Sequence, residues 1–310
     1  MNRHIAIIDI GTNSTLLLVG QVKDDGEILA TDQQFNVTRL GQGAGKGYTI
    51  RPEVLDRTIR VLHEYKENLD ARNIREVHLL GTEALRIAAN TAQVKNRIAA
   101  ETGWRLQVLE AADEARYSYL GATDTIEDPL AELLVVDAGG GSTELIRGSG
   151  EHILSWESIP LGVVKLNEMY GMKENLAGDD IRKIMNMIPP YLAGKAVSEH
   201  PSGNISMIGV GGTITTLAAV KEKMRRYDPE KINGAILSRD VIERLFGELN
   251  GMSLAERSQI PGIVKGRADV ILYGTLIFLS LMNYLEINTV VASDRGLRYG
   301  YLKWLSLQKS

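Results

Sequence analysis

The chain carries one twelve-residue signature twice. Residues 9–20 read DIGTNSTLLLVG and residues 137–148 read DAGGGSTELIRG. Six of the twelve positions are identical: Asp9/Asp137, Gly11/Gly139, Ser14/Ser142, Thr15/Thr143, Leu17/Leu145 and Gly20/Gly148. Each copy follows a short apolar run, IAII at 5–8 and LLVV at 133–136. The pattern is a buried strand ending in an aspartate, a tight turn, and a second strand. Glycines at Gly139, Gly140 and Gly141 let backbone N–H groups point into one concavity, because no Cβ blocks the approach. Such a nest binds anions, phosphate above all. Asp137 at the strand tip is placed to hold a hard cation beside it. The copies lie 128 residues apart, so the repeat predicts an internal duplication with each copy opening its own domain. They differ at one chemically important position: Leu16 in the first copy corresponds to Glu144 in the second.

A chain of 310 residues has room for two domains of ordinary size. With 44% hydrophobic and 24% charged residues it has a globular balance, and 5% aromatic content predicts an aliphatic core. The net charge of −4 argues against general nucleic-acid binding. The absence of cysteine excludes disulfides, thiolate metal sites and a cysteine nucleophile. A strand pattern begins by Ile5 with no signal-peptide core before it, which predicts a cytoplasmic protein. The uncharged run 270–285 is sixteen residues long, short of the roughly twenty needed to span a membrane. It is read as a buried core helix within 264–285. The five histidines are scattered and are read as structural or exposed.

In chain order, strands are expected at 5–10, 15–19 and from 27. The glycine-rich segment 40–47 is read as a flexible edge in preference to a second phosphate cradle. A helix follows from Pro52 to about Arg72, with Leu55, Ile59, Leu62 and Leu69 on one face. Then come a strand at 76–80, a helix at 91–102, a strand at 106–109 and a helix opening at 113–116. The alternation makes the first half α/β. Residues 126–131 are read as the crossing into the second half, which repeats the plan with a third strand at 153–158. A helix is expected at 179–188, kinked or ended by Pro189 and Pro190. After a strand at 206–210, Gly211, Gly212 and Thr213 open a helix to about Arg225, a second place for a phosphate at a helix N-terminus. Ser238 is expected to cap a helix ending near Asn250, and Ser253 with Glu256 forms a capping box. A strand at 289–292 and a helix at 297–305 close the chain.

The runs DIGTNS (9–14), GTEALR (81–86), DEAR (113–116), DAGGGSTE (137–144), GVGGT (209–213), RAD (267–269) and SDRGLR (293–298) resemble, in order, the motifs of the exopolyphosphatase/guanosine-pentaphosphate phosphatase (Ppx/GppA) family, in a short two-domain form. The resemblance spans nearly the whole chain. It implies the superfold of actin, sugar kinases and chaperone ATPases: two α/β, ribonuclease-H-like lobes with a central cleft. Lobe I would comprise 1–125 plus a returning helix in 296–310, and lobe II 126–295. It implies an Mg²⁺-dependent phosphohydrolase acting on polyphosphate, on the 5′ γ-phosphate of pppGpp, or on both. Glu114 matches the catalytic glutamate, and Arg86 and Arg267 match arginines that neutralise phosphates. Asp137 and Glu144 match carboxylates associated with Mg²⁺, and Asp9 matches the aspartate of the first phosphate motif. Backbone groups at Gly11, Thr12, Asn13 and Ser14, and at Gly139, Gly140, Gly141 and Ser142, would hold phosphate, joined by Gly211, Gly212 and Thr213.

These roles suit phosphoryl transfer, which needs positioning and charge stabilisation more than covalent chemistry. Two departures stand out. Ala111 and Asp113 replace the family's usual glycine and first glutamate before Glu114, and the extra helical domains of longer members are missing. A homodimer is expected from the family. The competing readings are a kinase of the same superfold and a non-catalytic sensor of ppGpp or polyphosphate. Retention of both Glu114 and Glu144 favours hydrolysis.

Overall fold

The computed structural model describes residues 3–23, 28–43, 47–124, 126, 131–199, 205–264 and 266–308. Strand β1 (Arg3–Ile10) is apolar at every position from 5 to 8 because both of its faces are covered. Ile5 and Ile7 point to a cluster with Leu302 and Leu305 of the C-terminal helix Leu297–Leu307. Ala6, Ile8 and Ile10 point the other way, to Leu55, Ile59 and Leu62 of the helix Pro52–Ala71. Antiparallel to β1 runs β2 (Ser14–Val22), and beyond it β3 (Ile28–Val37). On the other side β4 (Glu76–Gly81) and β5 (Leu106–Val108) lie parallel, giving the order β3-β2-β1-β4-β5. The C-terminal helix docks closely here. A Cβ on Gly300 would lie 1.8 Å from the Tyr117 carbonyl oxygen, within the helix Ala111–Ala122.

A second sheet repeats the plan. Its strands are β6 (Glu132–Ala138), β7 (Thr143–Ser149), β8 (His152–Ile159), β9 (Ser206–Val210), β10 (Ile236–Ser238) and β11 (Thr289–Ala292). The order is β10-β11-β9-β6-β7-β8. Here β6, β7 and β8 form the antiparallel meander and β9 and β11 run parallel to the meander's first strand, as β4 and β5 do in the first sheet. The duplication read from twelve residues therefore extends to a whole sheet, with β10 added at the far edge. By contacts the chain divides into Met1–Gly121 with Leu297–Ser310, and Ala122–Gly296.

Several boundaries differ from expectation. The core helix is Ile271–Tyr284, not 264–285. Gly266, at φ +84°, breaks the helical path, and Val270 is the residue before the first helical turn. All of positions 271–282 are buried, so the uncharged run is a core helix; among the described residues no helix is long and apolar enough to cross a membrane. The helix opened by Gly212 ends at Lys221 rather than near 225. Lys223 takes φ +50°, and the Met224 N–H bonds the Ala219 carbonyl in a Schellman-type stop.

The helix expected at 179–188 is Gly178–Met185, and Pro189 opens a separate short helix, Pro189–Leu192. The helix Val163–Tyr170 was not anticipated from sequence. The glycine segment 40–47 is not a loose edge where it is described. Leu40 is fully buried, and Gly41 packs so close to Thr12 that a Cβ would lie 2.3 Å from its Cγ2; residues 44–46 lie outside the described set. The chain passes between units at 121/122, before the 126–131 segment expected to do so, most of which is also outside that set. Ser238 caps the helix Arg239–Asn250 and Ser253/Glu256 forms the capping box, both as read from sequence.

Candidate active site

Parallel strands point their carboxyl ends at one edge of a sheet, the edge where α/β proteins bind ligands. In the first unit that edge gathers the predicted residues in sequence order. β1 carries Asp9 next to its last residue and leads into the turn at Gly11, β4 leads through Gly81 to Arg86, and β5 leads to the helix bearing Glu114. The second unit does the same, with Asp137 at the end of β6 and Gly211 after β9.

The two signature turns share one geometry. The Gly11 N–H bonds the Ser14 carbonyl at 2.9 Å, and the Gly139 N–H bonds the Ser142 carbonyl at 3.0 Å. A Cβ on Gly11 would lie 3.3 Å from the Ser14 oxygen, and one on Gly139 3.1 Å from the Ser142 oxygen. Each turn is pinned by its carbonyls. The Asn13 oxygen accepts from Thr38 and Arg39, and the Thr12 oxygen accepts from Gly41. In the second turn the Gly139 oxygen accepts from Val163 and the Gly140 oxygen from Val164, both in the first turn of the unanticipated helix Val163–Tyr170. With the carbonyls spent on the scaffold, the amides of Thr12 and Asn13, and of Gly140, Gly141 and Ser142, make no backbone bond among the described residues. That leaves donors for an anion, the arrangement expected of a nest.

Asp137 and Glu144 are directly opposed cross-strand neighbours of β6 and β7. Glu144 is 2% exposed, and its Oε1 accepts from the Ser142 hydroxyl at 2.6 Å and the Ser158 hydroxyl at 2.9 Å. It therefore holds Ser142 of the turn in place. An Asp137 oxygen lies 3.0 Å from where a Cβ of Gly211 would be, and Gly211 has φ +86°; both facts require glycine there. The Arg267 guanidinium fills the space beside Gly212, 1.5 Å from the Cβ position that glycine lacks. Asp137, Gly211, Gly212 and Arg267 thus form one group. Thr213 is buried and packs on Gly274 of the core helix, so its side chain is a packing element.

In the first unit Arg86 and Glu114 face each other. An Arg86 Nη1 donates to the Glu114 carboxylate at 2.8 Å and to the Leu109 carbonyl at 2.9 Å. The side chains are 19% and 12% exposed, so the pair is shielded and oriented, unlike a solvated surface pair. Asp9, paired in register with Leu16, is half-buried beside the first turn. Among the described residues no three His, Asp or Glu side chains cluster to hold a metal. Sequence reasoning missed Glu83, buried at 8% and 3.5 Å from the Thr12 hydroxyl. Its position right after Thr82 in GTEALR was the available signal.

The Ppx/GppA phosphatase family profile matches residues 6–308. The chain belongs to the Ppx/GppA phosphatase family. It is 28% identical over 93% of its length to a bifunctional 3-dehydroquinate synthase/phosphatase of Fusobacterium nucleatum, and spans 44% of that protein. It is 30% identical to exopolyphosphatase 2 of Mycobacterium tuberculosis, over 91% of both chains. The crystal structure of the Aquifex aeolicus Ppx/GppA family member superposes with a TM-score of 0.83 at 32% identity, over 100% of this chain and 99% of that one.

The fold is thus the Ppx/GppA fold, with two ribonuclease-H-like α/β lobes of the actin, sugar kinase and chaperone ATPase type. The departure at Ala111 and Asp113 leaves regular geometry in this Ppx/GppA chain. Ala111 opens the helix Ala111–Ala122, and the Glu114 N–H bonds the Glu110 carbonyl at 3.0 Å.

Proposed function

We propose that this chain is an Mg²⁺-dependent phosphohydrolase that releases terminal phosphate from inorganic polyphosphate, the γ-phosphate of pppGpp, or both. The observation that carries the reading is the shielded Arg86–Glu114 pair, in the unit that also holds the Asp9 turn. A carboxylate oriented by a guanidinium is a fixed proton acceptor, and the same guanidinium is a phosphate ligand. Glu114 takes a proton from the attacking water as the new O–P bond forms and the bridging P–O bond breaks. The products are orthophosphate and a chain shorter by one phosphate. Arg86 and the amides of the first turn neutralise charge on the reacting and departing oxygens.

Mg²⁺ is bound by one or two carboxylates plus substrate phosphates, so a three-carboxylate cage is unnecessary. Asp137, with an oxygen at the Gly211 turn, fits as a direct ligand, with its cross-strand neighbour Glu144 in support. When bound, the ion supplies Lewis-acid neutralisation of phosphate oxygens. Relatives named exopolyphosphatase support the polyphosphate reading. A cytoplasmic location and a homodimer complete the proposal.

The test is phosphate release by purified protein with Mg²⁺ on long-chain polyphosphate and on pppGpp, with Glu114→Gln beside it. The substitution should lower release by about 10²–10⁴-fold, and chelation of Mg²⁺ should abolish it. One observation favours a non-catalytic sensor of ppGpp or polyphosphate: Arg86 already engages Glu114. No release from either substrate, together with tight binding of ppGpp or polyphosphate, would establish that reading instead.

A further inference from the structure

The two signature copies differ at Leu16 and Glu144, and they differ again on the strand beside it. In the second sheet Asp137, Glu144 and Ser158 are directly opposed on β6, β7 and β8. In the first sheet the equivalent row on β1, β2 and β3 is Asp9, Leu16 and Phe35. Directly opposed residues share one face of a sheet. A row that begins with aspartate therefore continues as a carboxylate and a hydroxyl in one unit, and as two apolar side chains in the other. Ser142 has an identical counterpart in Ser14, so the hydroxyl of the turn belongs to both copies. Glu144 and Ser158 belong to the second alone.

The Ser158 hydroxyl donates to Glu144 Oε1 at 2.9 Å, and the Ser142 hydroxyl donates to the same oxygen at 2.6 Å. A carboxylate that is 2% exposed is tolerated where donors face it. One donor comes from the turn and the other from the neighbouring strand. Two bonds that converge on one oxygen from two backbone segments fix the carboxylate plane, and with it the direction of Oε2. A single bond would let that plane turn. Ser158 is itself well anchored. Ile159 beside it is buried, and the Leu161 carbonyl accepts from the Thr143 hydroxyl at 2.7 Å. Segment 158–164 thus holds Glu144, Thr143 and, through Val163 and Val164, the carbonyls of Gly139 and Gly140.

We propose that Ser158 is a positioning residue that orients Glu144 toward a cation held by Asp137. The proposal rests on the phosphohydrolase reading above, in which these two carboxylates serve Mg²⁺. A hydrogen-bond partner behind a metal-associated carboxylate typically sets metal affinity or activity by about 10–100-fold. In the first unit Leu16 leaves Phe35 no carboxylate to orient, so the row there has no such role.

The experiment compares Ser158→Thr, which keeps the hydroxyl, with Ser158→Val, which has the same shape without it. Both β-branched residues suit a strand, and Ser158→Ala is run beside them. Phosphate release from tripolyphosphate is titrated with Mg²⁺, and a thermal melt verifies folding. The expected result for the two variants without a hydroxyl is a half-maximal Mg²⁺ concentration raised about tenfold, with kcat at saturating Mg²⁺ within about threefold of the parent. Ser158→Thr should restore the parental Mg²⁺ dependence. A fall in kcat at unchanged Mg²⁺ dependence, or no change in either, overturns the positioning role.

Equilibrium binding of Mn²⁺ alone, read from the EPR signal of the free ion, decides the question without turnover. Mn²⁺ stands in for Mg²⁺ because both take hard oxygen ligands. About tenfold weaker binding in Ser158→Ala, with no further weakening when the change is added to Glu144→Gln, supports the proposal. Equal weakening in both backgrounds shows that Ser158 does not act through Glu144 and overturns it. If the parent binds Mn²⁺ and releases no phosphate, the phosphohydrolase reading falls and the binding comparison still decides. If the parent releases phosphate and Ser158→Ala binds Mn²⁺ as the parent does, the positioning role alone falls.

Discussion

Replacing Gly162 with alanine tests whether the second phosphate turn is set by the helix behind it. Gly162 has φ −132° and ψ 174°, an extended conformation open to any residue, so backbone strain does not enter. Space does. A Cβ would stand 2.5 Å from both the carbonyl carbon and oxygen of Gly140 and 2.6 Å from the Gly141 nitrogen. Comfortable carbon contacts are about 3.5–4.0 Å, so roughly 1 Å of overlap must be relieved. The obstructing atoms are backbone, not the tip of a flexible side chain. Either the turn moves away, or the helix Val163–Tyr170 does and gives up its bonds to the Gly139 and Gly140 carbonyls.

Overpacking of this kind costs about 1–3 kcal/mol, and each kcal/mol lowers Tm by roughly 2–4 °C for a unit of this size. A turn displaced by about 1 Å lowers phosphate release by about 10²-fold. The assay pairs a thermal melt with phosphate release and uses Gly178→Ala as its control. A Cβ at Gly178 meets nothing within 4 Å, and the residue opens a helix, so alanine there should be neutral or stabilise by up to about 1 kcal/mol. If Gly162→Ala melts within a degree of the parent and releases phosphate at the parental rate, the turn is not clamped as described. If the parent itself releases none, the melt alone decides.

Gly300→Ala should detach the C-terminal helix, because its Cβ would lie 1.8 Å from the Tyr117 carbonyl oxygen and 2.7 Å from the carbonyl carbon. A loss at or above ~3 kcal/mol is expected in urea unfolding, with the helix newly open to protease, and an unchanged urea midpoint would refute the packing. Glu256 is held below the usual carboxylate range by the Ser253 N–H and hydroxyl. A carboxyl depressed in the folded state contributes stability that is present above its unfolded pKa and lost as pH falls through the folded one. Ser253→Ala keeps the N–H and loses the hydroxyl, so it should raise the Glu256 titration seen by NMR part of the way and lessen its contribution above about pH 4.5; an unmoved titration would show that the Ser253 hydroxyl does not hold the carboxyl.

The duplicated turn was legible because its causes are local. Aspartate after an apolar run and glycine where amides converge are demands of the backbone on single residues, and they leave their mark in twelve letters. The helix caps at Ser238 and Ser253 were legible for the same reason. The core helix was begun too early in the sequence reading because it was carried back from the uncharged run at 270 through the charged stretch VKGRAD, where Gly266 turns the chain. Helix Val163–Tyr170 was missed because its N-terminus is fixed by carbonyls 24 residues earlier, which no periodicity records.

The site divides along the same line. Motif residues were found as a set, but who touches whom was not. Glu144, read as a carboxylate beside the cation, is also a buried acceptor for Ser142 and Ser158, which the sequence did not suggest. Arg86 and Glu114 read as two separate agents and prove to be one ion pair. Side-chain partnership is a property of strand register and loop closure, and a single chain of letters does not contain it.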